Sequence, residues 1–287
     1  NSSCLDAAHP AVLSEEEQTI LDHLLHRFQN AARLQQHANF LLEKGSMYKV
    51  YNQQLIFHGC IPLHENGDLK SLRLDGVNYS GKALLDYYEA AIRSAFKTPE
   101  VGDDLATDLF WYLWVGETSS LFGKNAMTTF ERYYIEDKDS HTEVKNPYFE
   151  LRNDADICCR LLKEFGLGAQ SHIVNGHTPV KEKRGESPIK AGGSMLVIDG
   201  GMAKGYQKKT GIAGYTLVSN SYGLQIVAHQ PFTCVEDVLD GGCEIISTQR
   251  LVKEASHRIL VKDTTIGQGI QTEIEALRHL YTHFEEY

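Results

Sequence analysis

Apolar residues return at helical spacing early in the chain, where Ile20, Leu21, Leu24, Leu25 and Phe28 fall on one face. Ser14 followed by Glu17 forms a capping box that starts this stretch, and Gly45 ends it. The pattern predicts one long, bent amphipathic helix and sets a helical segment over residues 1–47 apart from a larger unit over 48–287. From Lys49 to Ile61 it changes to two short extended runs meeting at Asn52-Gln53, the second leading through Leu55, Ile56 and Phe57 into His58-Gly59-Cys60-Ile61-Pro62. Helices are expected over 81–96 and 103–115, with Phe110, Trp111, Leu113 and Trp114 as apolar bulk for a core. The polar stretch 116–147 reads as an irregular connection with one short helical turn. A helix over 154–165 is stopped by Gly166 and Gly168. Strand-like runs then follow at 172–175, 195–199, 214–219, 224–229 and 244–251, with a hairpin turn at Ser219-Asn220-Ser221-Tyr222-Gly223, so an antiparallel sheet is expected there. Ile270, Ile274, Leu277 and Leu280 give a closing amphipathic helix over 266–284. Helices mixed with strands place the fold in the α/β (α+β) class.

Composition narrows the partners. The 287 residues carry 28 Lys and Arg against 38 Asp and Glu, a formal net charge of -10, which disfavours general binding to nucleic acid or to an anionic membrane. Apolar stretches such as Leu105 to Val115 fall short of the roughly 20 residues a membrane span needs. Cysteines at 4, 60, 158, 159, 234 and 243 lack Cys-x-x-Cys spacing, which points to reduced, mostly buried thiols and a cytoplasmic setting. The chain starts at Asn1 without the basic start or apolar run of a secretion signal, and is expected to be a piece of something longer.

Three features carry candidate chemistry. His58 and His177 each follow an apolar strand and each stand beside a glycine, which lets the backbone turn sharply and an ion approach closely. Each is open to two readings, a ligand or a satisfied structural histidine. His23, His26 and His37 lie on the first helix with no acidic partner at ligand spacing and read as surface residues. Between Lys181 and Lys209 seven basic residues face three acidic ones amid six glycines, a local excess of positive charge in an acidic chain. It reads as a solvated basic loop or as a phosphate-binding rim. Asp199 and His229 each end a strand, where either could orient a ligating histidine from behind or simply make a turn.

Taken together the motifs resemble a known family. Phe57 to Pro62, Phe110 to Trp114, Met127 to Tyr133, Asn175 to Lys181, Gly185 to Ala191 and Val197 to Leu217 look like the carboxyl-terminal part of the class III fructose-1,6-bisphosphatases, and the likeness runs from about Ser14 onward. That family is similar to the calcineurin-like metallophosphatases. The resemblance implies the carboxyl-terminal part of an α/β/β/α sandwich with added helices, a divalent metal centre using manganese (Mn2+), and cytoplasmic hydrolysis of fructose 1,6-bisphosphate to fructose 6-phosphate and phosphate in gluconeogenesis. In the wider metallophosphatase pattern His58 matches the fourth metal-binding block and His177 the fifth. The first three, Asp-x-His, Gly-Asp-x-x-Asp-Arg-Gly and Gly-Asn-His-Asp/Glu, are absent, and Gly67-Asp68 and Gly102-Asp103 lack the downstream Asp-Arg-Gly.

By that resemblance His58 and His177 ligate one metal, and Lys181, Arg184, Lys190, Lys208 and Lys209 neutralise the substrate phosphates, which carry about four negative charges. A two-metal phosphatase needs a bridging carboxylate to hold its cations roughly 3.5–4 Å apart. Two histidines cannot supply it, so this chain alone is expected to bind manganese weakly and to hydrolyse nothing. The alternatives are a metal-dependent phosphoprotein phosphatase, whose peptide substrate needs an open groove, and a non-catalytic binding or assembly module. Assembly into a homo-oligomer stays open.

Overall fold

The computed structural model describes residues 8–9, 12–97, 104–231, 234–241 and 246–284. Cys4, Cys243, Gly102-Asp103 and the first two residues of the run expected at 244–251 lie outside the described residues. Residues 1–46 and 47–287 form two separate compact units.

In the first unit the single helix expected is two, α1 (Glu15–Gln29) and α2 (Ala32–Lys44). Ser14 caps α1 reciprocally with Glu17, as its spacing implies. The run ends at Asn30, the C-cap of α1, whose side-chain Nδ2 adds a 2.8 Å hydrogen bond to the His26 carbonyl that its own backbone N–H already takes at 3.0 Å. Neither helix buries a residue.

The second unit begins with β1 (Tyr48–Tyr51) and β2 (Gln54–Phe57), joined by a tight turn in which Asn52 and Gln53 take φ of 47° and 62°. A hairpin missing from the expectation follows, β3 (Ser71–Leu74) and β4 (Val77–Ser80), turned by Asp75-Gly76 with both residues left-handed. The helices α3 (Gly81–Lys97) and α4 (Leu105–Val115) pack on each other. Two short helices, α5 (Thr129–Tyr134) and α6 (Tyr148–Leu151), precede α7 (Ala155–Glu164), which Asp154 caps. Then come β5 (His172–Asn175), β6 (Ile189–Lys190), β7 (Met195–Val197) and α8 (Lys204–Thr210), a short helix inside the stretch expected to be a basic loop. The chain continues through β8 (Gly214–Asn220), β9 (Gly223–His229), α9 (Val235–Leu239), β10 (Ser247–Glu254) and α10 (Thr265–Thr282).

Five strands form one sheet in the order β1-β2-β5-β7-β6, with β2, β5 and β7 parallel. The antiparallel sheet expected late in the chain is a separate one, β10-β9-β8. Alternation along β5 and β7 serves two cores. Leu55, Phe57, Ile173, Met195 and Val197 point into the larger core with Leu84, Leu85 and Tyr88 of α3 and Leu161 and Leu162 of α7. Val174 and Leu196 point the other way, against Ile226 of β9. The aromatic payload of α4 is corrected: Leu109 and Leu113 are buried, while Phe110, Trp111 and Trp114 are each more than half exposed, because the helix is apolar all round and is covered on one stripe only. Among the described residues no helix is long and apolar enough to cross a membrane.

Candidate metal and anion site

Three neighbouring parallel strands deliver three polar residues to one edge of the sheet. Ile56 pairs with Val174, and the Gly176 N–H donates to the His58 carbonyl at 2.9 Å, so the register continues one step past both strands. Asn175 pairs with Val197, and the Ile198 N–H donates to the Asn175 carbonyl at 2.9 Å. His58, His177 and Asp199 are therefore the first polar side chains beyond the carboxyl ends of β2, β5 and β7, where open α/β sheets assemble their sites.

The two histidines, 119 positions apart, meet. His58 Nε2 and His177 Nδ1 lie 3.1 Å apart and the ring centroids 5.0 Å apart. His177 Nε2 lies 3.0 Å from the Phe122 carbonyl, which can only accept, so Nε2 carries the proton and Nδ1 turns a lone pair toward His58. Burial and then the neighbouring His58 push the His177 imidazole below its ordinary pKa, which keeps it neutral. Asp199 opposes that shift with its charge, and its Oδ1 accepts from the Gly201 N–H at 2.9 Å. The backbone turn falls on an unexpected residue: His177 itself is left-handed, at φ 64°. Gly176 has an ordinary φ and room for a Cβ, whereas a Cβ on Gly59 would meet the Ser120 carbonyl oxygen at 2.4 Å. Asn175 ties the two exits together by donating through Nδ2 to the Gly59 carbonyl at 2.8 Å and to the Tyr148 hydroxyl at 2.9 Å.

The other candidates divide. Lys181 and Lys190 are half-buried and electrostatically coupled to a cluster around Arg152, whereas Arg184, Lys208 and Lys209 are exposed. His229 belongs to the other sheet, where its ring nitrogens meet the hydroxyls of Thr216 and Ser247 at 2.8 and 3.0 Å. Cys60 and Cys158 are buried, with thiols pushed up to about 12 by burial, so neither offers a thiolate at neutral pH.

Several residues at this edge had no sequence signature. The stretch 116–147, expected to be irregular, is tied down by Glu143, which pairs with Lys124 at 2.6 Å and accepts from the Thr128 N–H and hydroxyl at 3.1 Å. Burial would raise Glu143, but these donors outweigh it and hold its carboxyl at about 2. A bridge between Lys124 and Lys145 then leads into Phe149, whose ring stacks on His177 at 6.2 Å. Phe149 and Lys145 both line a cleft of about 600 Å³.

The model of the Firmicute fructose-1,6-bisphosphatase family matches residues 1–286. The chain belongs to that family. The class 3 fructose-1,6-bisphosphatase of Streptococcus agalactiae serotype Ia is 62% identical over 287 residues, covering 100% of this chain and 45% of the relative. Those of Lactococcus lactis subsp. cremoris and Staphylococcus aureus are 55% and 52% identical over 283 and 273 residues, covering 99% and 95% of this chain and 44% and 42% of the relatives. The chain thus spans less than half the length of the curated relatives it matches. No solved structure matches.

For a member of this phosphatase family the donor set can be tested against a metal ion. With metal–nitrogen bonds of about 2.0–2.1 Å, two donors on adjacent corners of a coordination shell stand roughly 2.8–3.4 Å apart, from a right-angled to a tetrahedral arrangement. The 3.1 Å between His58 Nε2 and His177 Nδ1 falls in that range. Among the described residues no group of three His, Cys, Asp or Glu side chains gathers around such a point. The pair fits two corners of one ion's shell and no more.

Proposed function

We propose that this chain is the carboxyl-terminal part of a metal-dependent fructose-1,6-bisphosphatase, acting on a sugar bisphosphate and contributing two histidine ligands and a basic rim to a site completed by residues outside it. The observation that carries the reading is the facing pair, His58 Nε2 and His177 Nδ1, set 3.1 Å apart at the exits of adjacent parallel strands. A bound divalent ion would supply Lewis acidity to the phosphoryl oxygens. Imidazole nitrogens accept several such ions, and Mn2+ is taken from the family likeness.

The chain's own residues do the rest of its share. The Phe122 carbonyl fixes the His177 tautomer, so that Nδ1 is free to ligate. The charge of Asp199 reaches His177 and favours a cation gathered there. Lys181 and Lys190 neutralise phosphate charge, and the exposed Arg184, Lys208 and Lys209 draw the anionic substrate in. His229 is held by two hydroxyls within its own sheet and takes no part.

The test is phosphate release from fructose 1,6-bisphosphate and from a phosphopeptide by the full-length enzyme with Mn2+. The expected result is turnover of the bisphosphate alone, with His177→Ala lowering kcat more than about 100-fold and with no release by the 287-residue chain by itself. Turnover of the phosphopeptide alone would replace the substrate class, and robust Mn2+-dependent hydrolysis by the isolated chain would remove the need for ligands from outside it.

A further inference from the structure

Arg152 follows α6 and is only 7% exposed. Its Nη2 donates to the Thr178 hydroxyl at 3.0 Å, while Nε and Nη1 are buried without a hydrogen-bond partner. A guanidinium stays charged at any accessible pH, so a buried one with two idle nitrogens is costly unless an anion completes it. The guanidinium carbon lies 5.3 Å from the Phe149 ring centre, and Lys145 Nζ lies 5.8 Å from the same centre. Lys190 and Lys181 add charge. Burial first, then Lys181 and Arg152, lower the pKa of Lys145; burial and then Arg152 lower that of Lys190. The acid that partly offsets them is the exposed Glu186, whose Oε2 accepts from the Lys181 N–H at 3.0 Å. Among the described residues none of Lys145, Arg152, Lys181 and Lys190 forms an ion pair.

We propose that Arg152 and Lys145, both set against the Phe149 ring, together with Lys190, which is electrostatically coupled to Arg152, hold a phosphate monoester dianion. Resting on the fructose-1,6-bisphosphatase reading, we assign it as the phosphate that stays on the sugar. The charge count selects the ligand: four cations face one carboxylate, so a single further carboxylate would leave two positive charges unanswered, whereas a dianion with Glu186 nearly balances them. The planar fork of Arg152 suits two phosphate oxygens at once. The cluster shares Phe149 with His177 rather than the facing imidazole nitrogens, which places the anion one aromatic ring away from the group to be transferred.

The experiment uses the full-length enzyme in two arms, calorimetric titration with inorganic phosphate in the absence of divalent metal, and fructose 1,6-bisphosphate kinetics with Mn2+. Lys145→Gln and Lys190→Gln are each expected to weaken phosphate binding and raise KM roughly tenfold or more, with kcat within about twofold; Lys163→Gln, on the exposed face of α7, is expected to change neither. Arg152→Lys is expected to behave like the lysine variants despite keeping the charge, since an ammonium lacks the fork; should it fail to fold, the lysine variants decide. Phosphate binding that none of these changes alters, or no phosphate binding by the wild type, overturns the site even if the bisphosphate is hydrolysed. Phosphate binding lost in the variants, in an enzyme that does not hydrolyse the bisphosphate, supports the anion site and overturns the functional reading instead.

Discussion

The parallel strands β2, β5 and β7 and the helix α10 both carry clear apolar periodicity, yet they use it differently. Leu55, Ile173, Met195 and Leu196 are fully buried, and the strand exits they anchor bring His58, His177 and Asp199 to one edge. On α10 the same kind of stripe is bare: Ile270, Ile274, Leu277 and Leu280 are all exposed, and the helix is fastened at its start by Thr265 and Asn52, which exchange hydrogen bonds at 2.8 and 2.9 Å. Periodicity therefore reports which face of an element is apolar and says nothing about what covers it.

That contrast can be broken by substitution. Leu55→Ala is expected to cost about 2–5 kcal/mol, because the side chain is wholly buried between α3 and the sheet. Leu277→Gln, at 65% exposure, is expected to stay within about 0.5 kcal/mol. Chemical denaturation of both variants measures the difference, and similar losses would mean that the α10 stripe is covered in solution.

Between these extremes lies the polar scaffold of the site. Glu143→Gln is expected to destabilise the chain by about 1–3 kcal/mol at neutral pH. The Glu143 carboxyl is held below its ordinary value of 4.5, so its contribution is complete above that pH and disappears as the pH falls toward about 2. Melting curves at pH 6.5 and pH 2.5 should therefore separate variant from wild type at the higher pH and bring them together at the lower. A gap of equal size at both would show that the charge is not what Glu143 contributes.

The smallest effect concerns the His177 backbone. At φ 64° a glycine is free of the strain that any Cβ meets, so His177→Gly should be about 1 kcal/mol more stable than His177→Ala. Equal stabilities would mean that the left-handed turn relaxes when the imidazole is removed.

The sequence made some of this legible and withheld the rest for physical reasons. The strand leading to His58, the one over 172–175 and the capping box at Ser14 follow from periodicity and local hydrogen bonding, which a short window contains. The β3–β4 hairpin was marked by Asp75-Gly76, a turn-forming pair between apolar residues. The break at Asn30 was marked only by an Asn inside a helical stripe. Arg152, Lys145 and the Phe122 carbonyl have no such trace: an isolated arginine after a short helix, a lysine in a polar stretch and a backbone oxygen acquire meaning only when the chain returns to His177. The glycines beside the histidines invited a shared explanation, yet only Gly59 is held by close backbone contact, while at the second site the histidine makes the turn.

The most direct test of the paired imidazoles is a Mn2+ titration of the protein labelled at histidine, followed by paramagnetic broadening of the ring resonances. His58 and His177 should broaden together at the same metal concentration, and His58→Ala should remove the broadening of His177 at that concentration. Broadening of one ring without the other, or of His177 undiminished in His58→Ala, would contradict a common cation.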